Sequence, residues 1–565
     1  MNLFIFLCVV LCVASIQANL KQKRPAPLGG FFIKRVKSPA RNATSSKESD
    51  TYTAAVVEFN RSKKGMFDAI DENLEAYTDF IAEAKKQFAD IVIFPEGTLN
   101  SYGSTDAPTI AVPPRGINPC HDDANHSKIL IQLSCAANME KIYVVVNVAE
   151  KADCDSSVVD CPHEDYYLFN TNVVFDRNGT IISRYRKINL FGEDGFSPSV
   201  DQELGVFDTD FGVRFGHFIC FDLMFQNPSL TVISTQNVSN IIFPTMWFSE
   251  MPFLTAVQIH EGYAFVNNVN FLAAGANIPE VGSSGTGIYS GKNGILIATI
   301  NGHSTSKMLV SIVSKDPSIL PPDAEQISNS ARDQQRINNP ASAMDSLFLK
   351  KDNLRVYETQ LLDNTPDQKI HLTYGEVDCQ FEVKMNMEMD SSRVEGDDQY
   401  LYRAVAFHGV KLFDVTTGGV TSCAIVACTN DTLESCGQRF PNHETVRQSY
   451  GITKIVLKAT VPSPNLNDTV KAFDKVYYPV TLDTTIMPLG VKNYKFLQED
   501  SKLKPECKIL TLELTEAEYP NLLTFGIFGR AFEKDGSDAT GGCSIVSASS
   551  LATLSLILIA FVIRA

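Results

Sequence analysis

The hydrophobic positions between residues 51 and 320 switch repeatedly between strand-like and helix-like spacing. Short runs rich in apolar or β-branched residues predict buried strands at 53–59, 91–94, 142–148, 172–175, 181–185, 213–218, 241–243 and 270–274. Apolar residues recur at helical spacing from Met66 to Phe88, and further helices are predicted over 127–138 and 253–266. Alternating strands and helices predict an α/β domain, and strands that are apolar on both faces predict sheets covered by helices.

A second domain is predicted after this region. The chain becomes polar and richer in proline around residues 315–345, as expected for a boundary between domains. Beyond it, short β-rich segments dominate, at 404–407, 423–427, 454–459 and 524–528. We therefore predict an α/β domain over 51–320 and a smaller β-rich domain over 321–535.

The N-terminal residues predict export. Residues 3–14 form a short apolar run and residues 15–18 are typical of a cleavage site, which together indicate a signal peptide over 1–18. The alternative is an N-terminal membrane anchor, but the run is shorter than the ~20 residues that a span requires. Residues 19–50 are basic and rich in Pro, Ser and Lys, which predicts a flexible leader.

Residues 536–565 predict a lipid anchor. Small residues at 536–542 precede a spacer at 543–550 and an apolar run at 551–563, the order typical of a glycosylphosphatidylinositol (GPI) signal. The attachment residue stays open among Ser537, Asp538, Ala539 and Gly541. A spanning helix is the alternative to the lipid anchor. We expect a location on the extracellular face of the cell membrane, with a secreted form as the alternative.

The cysteines and the glycosylation sequons fit an exported protein. Three of the 13 cysteines are removed with the two predicted signals, namely Cys8, Cys12 and Cys543. If one of the remaining ten is catalytic, nine are left, so at least one further thiol stays free. We expect a local disulfide between Cys154 and Cys161. Further bridges with open pairing are expected among Cys423, Cys428 and Cys436. The predicted glycosylation sites are Asn42, Asn60, Asn125, Asn178, Asn237, Asn430 and Asn467.

The overall charge and the histidine spacing exclude several classes of function. The formal net charge of -16 argues against nucleic acid as a partner, because phosphate binding requires a basic surface. The 9 histidines show no HExxH or similar spacing, so we predict neither a metal nor another cofactor. The predicted partners are a small molecule and, through the anchor, a membrane. The sequence does not indicate an oligomeric state.

Three predicted strands are each followed by a residue with useful chemistry. Glu96 is a carboxylate after a buried strand, where burial can raise its pKa into the range of a general base. Lys187 is a candidate desolvated ammonium for an oxyanion, and Cys220 lies where a strand enters a turn, as in a nucleophile elbow. Each residue alone also fits a plain alternative: a solvated loop glutamate, a basic loop residue and a buried structural cysteine.

Taken together and in this order, Glu96, Lys187 and Cys220 resemble the nitrilase (carbon–nitrogen hydrolase) superfamily. The segments that resemble its vanin and biotinidase branch are Phe94-Pro95-Glu96-Gly97, Asn118-Pro119-Cys120, Ile142-Tyr143-Val144-Val145, Asn172-Val173-Val174-Phe175-Asp176, Cys220-Phe221-Asp222, Phe243-Pro244-Thr245-Met246-Trp247 and Gly285-Thr286-Gly287-Ile288-Tyr289. The resemblance covers about residues 50–535. It implies an αββα sandwich followed by the β-rich C-terminal domain.

The resemblance also implies a mechanism and a substrate class. Glu96 is expected to be the proton acceptor, Lys187 the proton donor or oxyanion partner, and Cys220 the nucleophile that forms a thioester. The implied reaction is the hydrolysis of a small linear amide, with pantetheine cleaved to pantothenate and cysteamine. One alternative is the hydrolysis of biotin amides such as biocytin. An alternative of another class is a non-catalytic cell-surface recognition protein on the same fold.

Four residues near this set carry weaker predictions. Phe221 and Trp247 are predicted to line the substrate pocket, with a core aromatic residue as the alternative for Trp247, and the backbone N–H of Phe221 is expected to face the oxyanion. Glu193 is expected to be an ordinary loop carboxylate, with positional support of Lys187 or Glu96 as the alternative, and His217 is expected to be a packed histidine.

Overall fold

The computed structural model describes residues 32–35, 44–64, 66–100, 109–154, 161–162, 165–199, 201–321, 344–363, 365–386, 399–441, 451–515 and 522–540. The predicted signal peptide, most of the leader, the sequon at Asn42, the candidate attachment residue Gly541 and the apolar run at 551–563 lie outside these residues. Within them, no helix combines the length and apolar character needed to cross a bilayer.

The N-terminal domain contains fourteen described strands and four α-helices. The strands are β1 Phe32–Arg35, β2 Thr51–Glu58, β3 Ile91–Ile93, β4 Tyr143–Asp153, β5 Tyr166–Phe175, β6 Ile181–Arg186, β7 Gly205–Asp208, β8 Arg214–His217, β9 Asn240–Thr245, β10 Glu250–Met251, β11 Asn270–Gly275, β12 Thr286–Ser290, β13 Ile295–Thr299 and β14 Lys307–Ser314. The helices are α1 Met66–Lys86, α2 Lys128–Glu140, α3 Thr231–Gln236 and α4 Ala256–Asn267.

These elements form two packed sheets between helices. The first sheet has the strand order β1-β14-β2-β3-β4-β5-β6, and the second has the order β13-β12-β11-β9-β8-β7. In β2, Ala54 and Val56 pack against the second sheet, whereas Ala55 and Val57 pack under α1. Both faces of the strand are therefore buried, which explains its continuous apolar run. The αββα sandwich predicted from the sequence is confirmed.

The C-terminal domain is built from strands, as predicted. The remaining strands are β15 Lys350–Lys351, β16 Glu358–Leu361, β17 Asp367–Tyr374, β18 Val377–Asn386, β19 Leu401–Phe413, β20 Thr416–Cys428, β21 Gly451–Pro462, β22 Leu466–Asn467, β23 Ala472–Phe473, β24 Lys475–Asp483, β25 Tyr494–Asp500, β26 Cys507–Leu514 and β27 Leu522–Ala531. Two five-stranded sheets have the orders β16-β19-β20-β27-β24 and β17-β18-β21-β26-β25. Their core is continuous with the apolar face of α4, so the two domains share a hydrophobic interface.

Four disulfides link the described cysteines. Cys154–Cys161 is present as predicted. The open pairing in the C-terminal domain resolves into Cys428–Cys436 and Cys379–Cys423. The fourth bridge, Cys120–Cys135, was not predicted. Among the described residues the free thiols are Cys220 and Cys507, which agrees with the expectation that a second thiol stays unpaired. Stable disulfides of this number fit an oxidising compartment.

Candidate active site

The side chains of Glu96, Lys187 and Cys220 meet at one end of the sandwich. Each follows a strand of the two packed sheets: β3, β6 and β8 respectively. The Lys187 ammonium donates a hydrogen bond to Glu96 Oε1 at 2.7 Å. The Cys220 thiol lies close enough to both charges for each of them to shift its pKa. The three residues are 4%, 1% and 7% exposed, so the cluster is almost fully shielded from solvent.

Both oxygens of the Glu96 carboxylate have partners. Oε1 accepts from Lys187 and from the Asn170 side-chain amide at 2.8 Å, and Oε2 accepts from the Met246 backbone N–H at 2.8 Å. Asn170 is itself held by the Asn147 side chain, which donates to it at 2.7 Å. The carboxylate is therefore fixed in one orientation. Asn170 was not predicted, because its signal in the sequence is no more than a polar position within the buried strand β5.

Glu193 is a second carboxylate at Lys187, which agrees with the alternative of a supporting carboxylate and not with the preferred prediction of an ordinary loop residue. The Lys187 ammonium also donates to Glu193 Oε1, and Asn170 donates to Glu193 Oε2 at 3.2 Å. Burial alone would lower the pKa of Lys187, but Glu193, Glu96 and Cys220 carry it well above its usual value. Lys187 therefore stays an ammonium in the resting site.

Cys220 occupies a strained backbone position at a sharp turn. Its φ of 45° lies in the left-handed region, which is costly for a side chain with a Cβ. It opens a single-turn helix, Cys220–Met224, after β8, and this is the geometry of a nucleophile elbow. Burial raises the pKa of the thiol and Glu96 raises it further, whereas Lys187, the Thr245 hydroxyl and the Met246 N–H lower it. The net effect is upward, so the resting group is a thiol that needs a base.

Asp222 links the turn of Cys220 to the loop after Lys187. Its Oδ2 accepts from the Tyr185 hydroxyl at 2.7 Å and from the Ile219 N–H at 3.1 Å. Its Oδ1 accepts from the backbone N–H and the side-chain amide of Asn189, each at 2.9 Å. Burial raises the pKa of Asp222 to about 6 against these hydrogen bonds. In the sequence, Asp222 stands out only as part of the Cys220-Phe221-Asp222 motif, which does not indicate this role.

The predicted pocket residues Phe221 and Trp247 have different surroundings. Phe221 packs edge-on against Phe191, with the ring centroids 4.9 Å apart, beside the loop that carries Lys187 and Glu193. The Trp247 indole donates to the Leu254 carbonyl at 2.9 Å and is 7% exposed within the main core. The packing of Trp247 agrees with a core aromatic residue. A role in lining the substrate pocket stays a prediction for Phe221 and Trp247.

His217 is packed, as expected. Its Nε2 lies 2.8 Å from the Ser183 hydroxyl, and burial lowers its pKa to about 3, so the ring is neutral. Within the described residues, no group of His, Cys, Asp and Glu side chains is arranged to hold a metal ion.

The C-terminal domain reaches the site through the hairpin between β19 and β20. The Phe413 ring lies 6.2 Å from that of Phe221, centroid to centroid. Asp414 presses on Gly192, where an added Cβ would overlap the aspartate carboxylate. Gly192 also has a φ of 55°, so this loop position favours glycine for two reasons. The second domain thus forms part of the wall around the candidate site.

A cavity of about 430 Å³ lies beside the same hairpin, between the two domains. Glu250, Lys350, Lys411 and Phe413 are among its lining residues, and Glu96, Lys187 and Cys220 are not. The chemistry is therefore assigned from the buried Glu96–Lys187–Cys220 cluster and not from this cavity.

Family models match both domains. The model described as carbon-nitrogen hydrolase matches residues 53–298, and the Vanin C-terminal domain matches residues 347–535. Vanin-like protein 1 of Drosophila melanogaster is 34% identical over 507 residues, covering 87% of this chain and 88% of that protein.

Two further relatives match shorter stretches of the chain, and one solved structure is reported beside them. Pantetheinase of Sus scrofa is 38% identical over 230 residues, covering 39% of this chain and 45% of that protein. Biotinidase of Bos taurus is 35% identical over 240 residues, with coverages of 40% and 45%. Nit3 of Saccharomyces cerevisiae, a member of the nitrilase superfamily, is 20% identical, with a TM-score of 0.39 and coverages of 51% of this chain and 97% of that structure.

Proposed function

Because the chain belongs to the vanin/biotinidase branch of the carbon–nitrogen hydrolases, we propose that it cleaves a small linear amide through a thioester on Cys220. The observation that carries this proposal is the 2.7 Å contact between Lys187 and Glu96 beside a buried thiol on a left-handed turn. A base, an ammonium and a nucleophile then face the same small volume, which is what amide hydrolysis requires.

The first half-reaction forms the thioester. Glu96 takes the proton of the Cys220 thiol as the sulfur attacks the amide carbonyl carbon, and the carbonyl π electrons move to the oxygen. Lys187 and the Phe221 backbone N–H hold this oxyanion. When the carbonyl re-forms, the C–N bond breaks, and the leaving amine receives the proton from Glu96.

The second half-reaction uses water. Glu96 takes a proton from water as the water oxygen attacks the thioester carbon. The C–S bond then breaks. The sulfur regains the proton from Glu96, so the enzyme returns to its resting state. The products are one carboxylic acid and one amine, with no other reactant consumed.

We propose pantetheine as the substrate, cleaved to pantothenate and cysteamine. The pantetheinase and biotinidase relatives are similar to this chain to nearly the same extent, at 38% and 35% identity, so identity does not separate the two substrates. The preference for pantetheine rests on the lipid-anchor pattern at 536–565, which favours a vanin-like protein.

A side-by-side assay tests this proposal. The purified full-length protein is given pantetheine in one series and biocytin in the other, and cysteamine and lysine release are measured. Faster turnover of pantetheine supports the proposal, and faster turnover of biocytin replaces it with the biotinidase alternative. If neither substrate is hydrolysed by protein whose Cys220 can still be alkylated, both substrate proposals are contradicted.

We also propose that the two domains meet at residues 320 and 321 and that the protein is exported. The match to the carbon-nitrogen hydrolase model ends at residue 298, and the match to the Vanin C-terminal domain begins at residue 347. The proposed boundary lies between them. Four disulfides among the described residues favour an extracellular location. Attachment to the membrane through residues 536–565 rests on the sequence pattern.

A further inference from the structure

The turn that carries Cys220 ends against the C-terminal domain. Met224 is the last residue of this turn, and its carbonyl accepts a hydrogen bond from Arg530 Nε at 2.8 Å. Arg530 belongs to β27, more than 300 residues further along the chain. A residue of the second domain thus contacts the segment of the candidate nucleophile directly.

The guanidinium of Arg530 is buried and has several partners. Its Nη2 donates to Asp535 at 2.8 Å, its Nη1 donates to the Gly419 carbonyl, and its side chain is 1% exposed. The guanidinium also lies 5.3 Å from the centroid of the Phe413 ring, which packs on Phe221. The arginine therefore has little freedom to leave the Met224 carbonyl.

The contact supplies a donor to a carbonyl at the end of the turn. The last carbonyls of a helical turn have no donor within the turn, and a buried carbonyl without a donor is costly. A charged donor in a dry interior makes this bond stronger than a neutral one. At the other end of the turn, Asp222 accepts from the Ile219 N–H. Both ends of a five-residue segment are thus fixed, and Cys220 with its strained φ is its first residue.

We infer that Arg530 is a positioning residue for Cys220: by holding the Met224 carbonyl from the C-terminal domain, it keeps the thiol facing Glu96 and Lys187. The inference rests on the proposed role of Cys220 as nucleophile. It makes the second domain a working part of the site, since loss of this contact lets the turn relax toward an unstrained backbone.

The test compares alkylation of two thiols in one molecule. Full-length wild type, Arg530→Met and Arg530→Lys are treated with iodoacetamide, itself a small amide, and labelling of Cys220 and Cys507 is followed by peptide mass spectrometry. Cys507 is the other free thiol among the described cysteines and serves as an internal reference for general loosening. Asp535→Asn, at a partly exposed carboxylate, is a milder third variant that weakens the anchoring of Arg530 and leaves the arginine in place.

A matched control is Arg439→Lys. Arg439 is a largely buried arginine of the same domain, and it donates to Asp345 at 2.8 Å and to the Thr484 carbonyl at 2.7 Å. Its substitution removes a comparable set of bonds, and none of these contacts involves the turn of Cys220.

The expected result is a fall of about tenfold to a hundredfold in Cys220 labelling and in kcat for the Arg530 variants, the scale of a misplaced reacting group. KM and the labelling of Cys507 should stay unchanged in these variants. Asp535→Asn should show a smaller fall in Cys220 labelling and kcat. Arg439→Lys should match the wild type in all of these quantities. Unchanged or faster Cys220 labelling in the folded Arg530→Lys or Asp535→Asn variants would overturn the inference, as would a parallel change at both thiols. Because labelling requires no substrate, failure of the proposed substrate leaves this readout intact.

Discussion

The ammonium of Lys187 and the carboxylate of Glu96 are joined by a 2.7 Å hydrogen bond in a site from which water is almost excluded. A buried ion pair of this kind is strongly destabilised when one partner is removed, by about 3–5 kcal/mol, because the other charge is left unpaired. Here a second carboxylate, Glu193, shares the same ammonium. One carboxylate can therefore take up a proton during the reaction while Lys187 keeps a charged partner.

Glu96→Gln is expected to lower kcat by about 10²–10⁴-fold, the range attributed to general acid–base catalysis. The amide fits the same space and can still accept from the Met246 N–H, but it cannot take the thiol proton. Steady-state rates with pantetheine measure the loss. Peptide mass spectrometry of the quenched variant then shows whether an acyl group stays on Cys220.

The control for this variant is Glu58→Gln. Glu58 is also a buried carboxylate, and its Oε1 accepts from Asn277, Ser284 and Asn301 at 2.7 to 3.0 Å, partners that differ from those of Glu96. Burial raises the pKa of Glu58, so a neutral amide is a mild change there. Activity of Glu58→Gln should stay near that of the wild type. If Glu96→Gln also kept the wild-type rate, Glu96 would have no part in the mechanism.

Asp222 predicts a dependence of stability on pH. Its pKa is about 6 in the folded protein against an ordinary value of 3.8, because burial favours the protonated form. A carboxyl group whose pKa is raised on folding stabilises the fold fully below its unfolded pKa, and this contribution is lost as pH rises through the folded pKa. At about 1.36 kcal/mol for each of about 2.2 pH units, the wild type should lose about 3 kcal/mol relative to Asp222→Asn between about pH 3 and pH 7.

Denaturant titrations of the two proteins across this pH range measure that difference. The unfolding free energy of the wild type should fall toward neutral pH with the steeper slope, since the asparagine of the variant does not titrate. Parallel curves would show that Asp222 keeps an ordinary pKa in the fold.

Much of the site was predictable because its chemistry follows strand ends. Glu96, Lys187 and Cys220 each come after a short apolar run, and such runs can be recognised from the sequence alone. The strand boundaries were less predictable, because pairing partners set them. β4 was expected to end at residue 148, but it continues through a polar segment to Asp153, which pairs with Tyr166 of β5.

The supporting residues could not be predicted because their partners are distant in sequence. Asn170 contacts Glu96 from 74 positions away, and Arg530 contacts Met224 from 306 positions away. Glu193 is only six positions from Lys187, yet spacing alone does not show that a loop folds back on the lysine. The cysteine pairing was open for the same reason, since it depends on which strands become neighbours.

Sequon exposure predicts the pattern of glycosylation. Asn125, Asn178, Asn237, Asn430 and Asn467 are exposed on the described surface. The Asn60 side chain is half-buried and donates to the Asn277 carbonyl at 2.6 Å, so a glycan on it would break this bond. Glycopeptide mass spectrometry should find the five exposed sequons occupied and Asn60 bare. High occupancy at Asn60 would show that this contact does not protect it.

The lipid anchor stays a prediction from residues 536–565. Phosphatidylinositol-specific phospholipase is expected to release the protein from intact cells, because a GPI signal is exchanged for the lipid and its apolar run is discarded. The C-terminal peptide of the released protein should then end within 537–541. Retention on the membrane, together with a peptide that contains residues 551–563, would identify a spanning helix instead.

Turnover by Cys220→Ser tests the central claim most directly. The serine hydroxyl fits the same turn but ionises far less readily than a thiol, so it is a poor nucleophile here. The control is Cys507→Ser, which changes the other free thiol among the described residues. With pantetheine as substrate, the account predicts a folded Cys220→Ser protein with cysteamine release at background and a Cys507→Ser protein with the wild-type rate. Release by Cys220→Ser at near the wild-type rate would contradict it.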